Sequence, residues 1–272
     1  MTMIANKTSD AVSVNNSAHR IVSLVPSQTE LLYDLGLNDE VVGITKFCIH
    51  PNHWFRNKTR IGGTKDVKFD RAKALSPTLI IANKEENVKE QVEALAAIAP
   101  VYTSDISTLE DAYHMIHEIG KITHTNSKAE EIIEKIKAGF VLLTEELNQQ
   151  TPKTCLYLIW KDPYMSVGAD TFIHDMMLHC RLENVLIHET RYPTLSIEKI
   201  QQLAPEIILL SSDPYPFKEK HIAELQAYLP QTSILLVDGE MFSWYGSRLQ
   251  HSPAYFCGLW NTINSSSTRP KS

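Results

Sequence analysis

The densest reactive chemistry in the chain lies in the run Lys46-Phe47-Cys48-Ile49-His50-Pro51-Asn52-His53-Trp54. One thiol and two imidazoles this close together are soft or borderline donors suited to a transition metal, and His188, Glu189 or Asp238 can supply a fourth ligand from elsewhere in the chain. The spacing C-x-H-x-x-H is unlike the common zinc patterns, so three readings stay open. Cys48, His50 and His53 ligate a free or chelated metal, a histidine acts as the axial ligand of a corrinoid cobalt, or the segment is a solvent-facing loop over a buried cysteine. A catalytic alternative makes Cys48 a nucleophile with His50 or His53 as its base, although no GxSxG, GxGxxG or phosphate-binding loop accompanies it.

A second group is aromatic. Phe47, Trp54, Trp160, Tyr164, Tyr215, Phe217, Phe242, Trp244 and Tyr245 fall in loops that follow strand-like apolar runs. In open parallel sheets, ligands bind beyond the carboxyl ends of the strands, which also selects Ser27 and Asn83. Flat rings offer a planar macrocycle, such as a corrin or porphyrin, wide apolar contact at small entropic cost. Each ring can equally cover a core, whereas Trp160, Tyr164, Trp244 and Tyr245 as a set favour a ligand. Arg191 and Tyr192, just before Pro193, add a forked cation for a carboxylate or phosphate.

The elements that must position these residues alternate between strand and helix. Arg20–Val25, Glu40–Thr45, Leu79–Ala82 and Val101–Ser104 read as strands, with helices at Thr29–Leu37, Phe69–Leu75 and Glu86–Ala97. The second half repeats the order, with strands at Thr154–Ile159, Glu206–Leu210 and Ser233–Val237 and helices at Asp170–Leu178 and Ile197–Leu203. Leu75-Ser-Pro77-Thr-Leu79-Ile80-Ile81 recurs 128 residues later as Leu203-Ala-Pro205-Glu-Ile207-Ile208-Leu209, as expected of two similar lobes. Between them, Ser127–Gln149 carries apolar residues at helical spacing and predicts one amphipathic helix, about 34 Å long at 1.5 Å per residue. The expected class is therefore α/β: two three-layer lobes with central, mainly parallel sheets joined by one long interlobe helix. The divisions are 20–125 and 151–265 for the lobes and 126–150 for the helix, with unstructured ends at 1–19 and 266–272.

Composition narrows the function. The formal charge is −6 and no basic run is present, which disfavours nucleic acid. No apolar run approaches the roughly 20 residues of a membrane span. Four scattered cysteines without a CxxC pair fit free thiols. Met1–His19 lacks the apolar segment of a secretory signal, so the chain as written is expected in the cytoplasm, or in the periplasm or at the cell surface if a signal has been removed.

RIVSLVPSQTELLYDLGLNDEVVGIT, a polar loop containing HP, then IGG, ALSPTLIIAN, EQVEAL, the long helix and DPYMSVGADTFIHDMM resemble the helical-backbone substrate-binding proteins of ABC importers (class III), of the cobalamin and iron-siderophore type that also includes haem binders. The resemblance covers about residues 20–260. It implies a cleft between two lobes, no enzymatic activity, no required cofactor, and a corrinoid, haem or iron chelate as transported ligand. It also implies an ABC permease as partner, docked by an acidic residue on each lobe, and a monomeric chain without a membrane span. Glu86 and Glu219 are the docking candidates, with Lys89 at the best-aligned position of the first lobe. Asn83 stands where the cobalamin branch is expected to have a cleft aromatic, a departure that bears on cobalamin itself.

Overall fold

The computed structural model describes residues 19–267, and the expectations for the two chain ends lie almost wholly outside them. The chain divides into two compact units. One comprises the chain through Ile106 together with 110–134 and 245–248, and the other comprises 107–109, 135–244 and the chain from Leu249.

The first unit runs β1 (Ile21–Ser23), α1 (Pro26–Asp34), β2 (Val41–Ile44), α2 (Asn52–Asn57), β3 (Thr59–Arg60), β4 (Gly62–Gly63), β5 (Asp66–Val67), α3 (Phe69–Ala74), β6 (Leu79–Asn83), α4 (Lys89–Leu95), β7 (Val101–Ser104) and α5 (Leu109–Ile122). Its parallel sheet has the order β3-β2-β1-β6-β7. All five residues of β6 are buried, the pattern of a central parallel strand covered on both faces. The helix expected from Thr29 begins earlier, at Pro26, because proline at the first turn presets φ and lacks only an N–H that would go unused there. The helix expected from Glu86 begins later, at Lys89, because the Asn83 side chain takes the backbone N–H groups of Glu85 and Glu86 into a turn.

α6 (Asn126–Leu147) follows as one continuous helix, its residues through Glu134 in the first unit and the rest in the second. Its apolar stripe, Ala129, Ile132, Ile133, Ile136, Phe140, Leu143 and Leu147, is buried throughout.

The second unit runs β8 (Lys153–Leu158), β9 (Tyr164–Met165), α7 (Phe172–His179), β10 (Leu182–Asn184), β11 (Thr194–Leu195), α8 (Ile197–Leu203), β12 (Ile207–Ser211), α9 (Glu219–Gln226), β13 (Ser233–Val237), α10 (Glu240–Ser243) and α11 (Ser252–Ser267). Its parallel sheet has the order β10-β8-β12-β13, which matches β2-β1-β6-β7 strand for strand. The sequence repeat is thus a repeat of topology. It extends to the backbone: Ser76 and Ala204, each before its proline, are both left-handed, at φ 46° and 43°. Leu156, Leu158, Ile200, Ile208, Leu210 and Leu225 form the fully buried centre of this unit, each such side chain contributing about 1.5–3 kcal/mol.

Candidate functional site

The carboxyl ends of β1, β2, β6 and β7 carry a buried polar floor in the first unit. Ser23, Ser27, Gln28, Thr29, Thr45, Asn83 and Ser104 are all buried. The Gln28 amide donates to Ser104 Oγ at 2.5 Å, and Asn83 Nδ2 donates to the same oxygen at 3.1 Å. Asn83 N donates to Asn87 Oδ1 at 2.8 Å, and Asn87 Nδ2 reaches Thr64 O at 2.9 Å, so Asn83 holds its loop closed. Ser27 Oγ and Gln28 Oε1 are buried without a hydrogen-bond partner, an unsatisfied edge within this floor.

The Cys48 loop does not assemble as a metal site. Cys48 is fully buried, with its sulfur 3.1 Å from both the Thr29 and Thr45 hydroxyls. Burial pushes its thiol up to about 11 despite those hydrogen bonds, so it is neither a ready thiolate ligand nor a nucleophile at neutral pH. His53 is exposed and sits edge-on to Tyr33 at 5.2 Å, and His50 is half-buried. Among the described residues no group of three or more His, Cys, Asp or Glu is placed to hold a metal ion, which removes the geometric basis for Cys48, His50 and His53 as a joint ligand set.

Several expected lining residues turn out to be packing residues. Trp54 is 2% exposed, lies edge-on to Tyr33 at 5.4 Å and donates Nε1–H to Asn38 at 3.2 Å, because α2 lays it against α1. Phe217 is buried in the second unit's core, and Trp244 and Tyr245 are also buried. Tyr245 donates its hydroxyl to Glu86 Oε1 at 2.7 Å, so Glu86, expected as a docking charge, is engaged with a buried ring of its own unit. Glu219 lies exposed in the first turn of α9.

Other expected residues reach the surface. Phe47 is half-exposed with Lys46 Nζ 5.0 Å from its ring centre. In the second unit, Trp160 is 41% exposed and meets Tyr215 edge-to-face at 5.5 Å, while Tyr215 packs on Phe217 at 4.7 Å. His221 backs this group, its Nδ1 accepting from Lys218 N at 2.9 Å. Trp160 also bridges Met165 beside β9, and Tyr164 of the same hairpin is half-buried. Arg191 and Tyr192 are exposed on the adjoining loop, the guanidinium 5.8 Å from the phenol ring, and Arg191 O accepts from Gly168 N at 2.7 Å. Sequence reasoning singles out neither Tyr215 as the support of Trp160 nor Gln28 as part of the polar floor. Tyr215 is legible only as one of the loop aromatics, and nothing in PSQT distinguishes Gln28 from an ordinary helical residue.

The profile of the periplasmic binding protein family matches residues 21–228. A vitamin B12-binding protein of Vibrio campbellii is 26% identical over 205 residues, 75% of this chain and 74% of its own. An uncharacterised ABC transporter substrate-binding lipoprotein of Bacillus subtilis is 26% identical over 207 residues, 73% of this chain and 65% of its own. Among solved structures, a periplasmic haem-binding protein from Roseiflexus superposes with a TM-score of 0.79 at 18% identity, covering 93% of this chain and all of that one, which establishes the shared fold. These relatives lend no support to the cytoplasmic expectation.

Proposed function

Because the chain belongs to the periplasmic binding protein family, we propose that it binds a metal chelate or corrinoid without transforming it, as the substrate-binding component of an ABC importer, on the outer side of the membrane. The observation that carries this reading is Trp160, an indole 41% exposed yet fixed by Tyr215 behind it. A large ring held in water at a strand end gains most when a flat apolar ligand covers it. Arg191 and Tyr192 supply the polar complement, a guanidinium for a carboxylate or phosphate on the ligand's edge. Phe47, half-exposed on the first unit, is another ring left in water after a strand end. The names of the relatives point to vitamin B12 and haem as the ligands to try first.

In this role the chelate is cargo, no cofactor is required, and the chain works as a monomer with a permease that contacts Glu219 on α9 and the exposed head of α4 at Lys89 and Glu90. The test is calorimetric titration of cobalamin, cobinamide, haem and a ferric siderophore into the wild type, Trp160→Ala and His50→Ala. Tight binding of one of them, weakened at least tenfold by Trp160→Ala, is the expected result. Failure of all four to bind would overturn the reading.

A further inference from the structure

Trp160, the ring that carries the binding role, ends a chain of contacts that begins at a buried imidazole. Trp160 meets Tyr215 at 5.5 Å, and Tyr215 in turn meets His221 at 5.6 Å and Phe217 at 4.7 Å. Phe217 stands edge-on to His221 at 5.4 Å. His221 is 2% exposed, and all four residues belong to the second unit. Its two ring nitrogens have different neighbours. Nδ1 accepts the backbone N–H of Lys218 at 2.9 Å, closing the first turn of α9, while Nε2 lies 3.4 Å from the Tyr215 hydroxyl. An imidazole nitrogen that accepts a hydrogen bond carries no proton, so the ring is neutral and its one proton sits on Nε2, facing Tyr215.

A proton on Nδ1 would break this arrangement. Two N–H groups would then face each other across 2.9 Å, and the new charge would be buried in the first turn of a helix, at the positive end of its dipole. The surroundings add to the cost. Lys218 and Lys220 at the start of α9 and Lys161 after β8 repel a cation there, and Glu224, which favours one, is already paired with Lys161. β13, which packs against α9, is Ser-Ile-Leu-Leu-Val and brings no titratable side chain. Burial first, and Lys161 after it, hold His221 below its usual value of 6.5.

We infer that His221 is a positioning residue for the ligand-binding ring: as a neutral acceptor it anchors Tyr215, and through Tyr215 it holds Trp160 ready for a flat ligand. The effect on affinity rests on the chelate-binding reading above, whereas the effect on Trp160 does not. Acid that protonates His221 loosens Trp160, and the loss develops as pH falls below 6.5, the value of the imidazole outside this setting. The test is nitrogen-15 relaxation of the Trp160 indole N–H, without ligand, at about pH 7.5 and about pH 5, in the full wild-type chain, His221→Asn and His221→Leu. Asparagine offers a non-titrating acceptor where Nδ1 stands, and leucine fills the space without one. The wild-type order parameter should fall from about 0.85 at the higher pH to below about 0.6 at the lower. His221→Asn should stay rigid at both, and His221→Leu should be mobile at both. If His221→Leu does not fold, the wild type against His221→Asn still decides. Cyanocobalamin, titrated in the same series, should bind the wild type at least tenfold more weakly at the lower pH and His221→Asn equally at both. Equal rigidity of wild-type Trp160 at both pH values, or acid loosening of His221→Asn as in the wild type, would overturn the inference. Cyanocobalamin binding that is unchanged by pH in the wild type would do the same. No binding at either pH would count against the chelate reading alone, because the relaxation readout needs no ligand.

Discussion

Tyr245 donates its hydroxyl to Glu86 across 159 residues of sequence, at 2.7 Å, and both belong to the first unit. The pair is one end of a short strap. Three residues on, Arg248 makes a two-pronged bridge to Glu30 of α1 at 2.9 and 2.6 Å, and between them Gly246 lies so close to α1 that an added Cβ would meet Ser27 O at 2.5 Å. The strap therefore anchors late chain onto the helix that carries the floor residues Ser27 and Gln28.

Tyr245→Phe should cost about 1.5–3 kcal/mol, the range for a hydrogen bond to a charged acceptor. Gly246→Ala should cost more than an ordinary surface change, because its contact is backbone that cannot turn aside. Denaturant unfolding measures both. Wild-type midpoints in both variants would show that the strap contributes nothing to stability.

The sheets are legible because apolar runs bounded by Pro and Gly are local signals, and the strands Val101–Ser104 and Ser233–Val237 carry the expected bounds, as does the helix Ile197–Leu203. α5 is absent from the expected elements, although Ala112, Met115, Ile116 and Ile119 recur at helical spacing in its sequence. The site is less legible, for a physical reason. Strand-end position tells where a side chain starts, whereas the choice between packing and exposure depends on partners far away in sequence. Trp54 is buried by Tyr33 and Asn38, and Trp160 is left out in solvent on Tyr215.

Cys48 should make the fold alkali-sensitive. Its thiol is raised from 9.0 to about 11 by burial, so the folded state keeps the proton that the unfolded chain releases. That contribution is complete below pH 9, falls as pH rises from 9 to 11, and totals about 3 kcal/mol at roughly 1.4 kcal/mol per pH unit. Cys48→Ala should flatten this part of the stability profile. An unchanged slope between pH 9 and 11 would count against the assignment.

Left-handed Ser76 and Ala204 predict stabilising substitutions. A side chain at positive φ costs about 1–2 kcal/mol, and glycine removes this strain while giving back part of it through a freer unfolded chain. Ala204→Gly, at φ 43°, should therefore gain about 0.5–1 kcal/mol in thermal or chemical melts. Gly62→Ala should act in the opposite direction and more strongly, because φ is +111° and the new Cβ would lie 2.2 Å from Asp66 O in the β4–β5 hairpin. A neutral result at Ala204 together with a tolerated Gly62→Ala would contradict these backbone assignments.

The chain has four tryptophans, and only Trp160 is solvent-exposed, at 41% against 2% for Trp54, 7% for Trp244 and 2% for Trp260. Collisional quenching by acrylamide should accordingly resolve one accessible and three protected indoles, and Trp160→Phe should abolish the accessible class while leaving the others unchanged. A bound planar chelate that covers Trp160 should shield it from acrylamide, an effect separable from absorption by the ligand because it appears in the quenching slope rather than in the intensity. Trp160→Ala should also cost about 1–3 kcal/mol of stability, the packing of the indole on Tyr215, so ligand affinity is compared at a temperature where the variant's melt shows it fully folded and its loss then reads as lost contact. Ligand saturation without protection of Trp160 would place the ligand away from this ring and remove the observation on which the binding role rests.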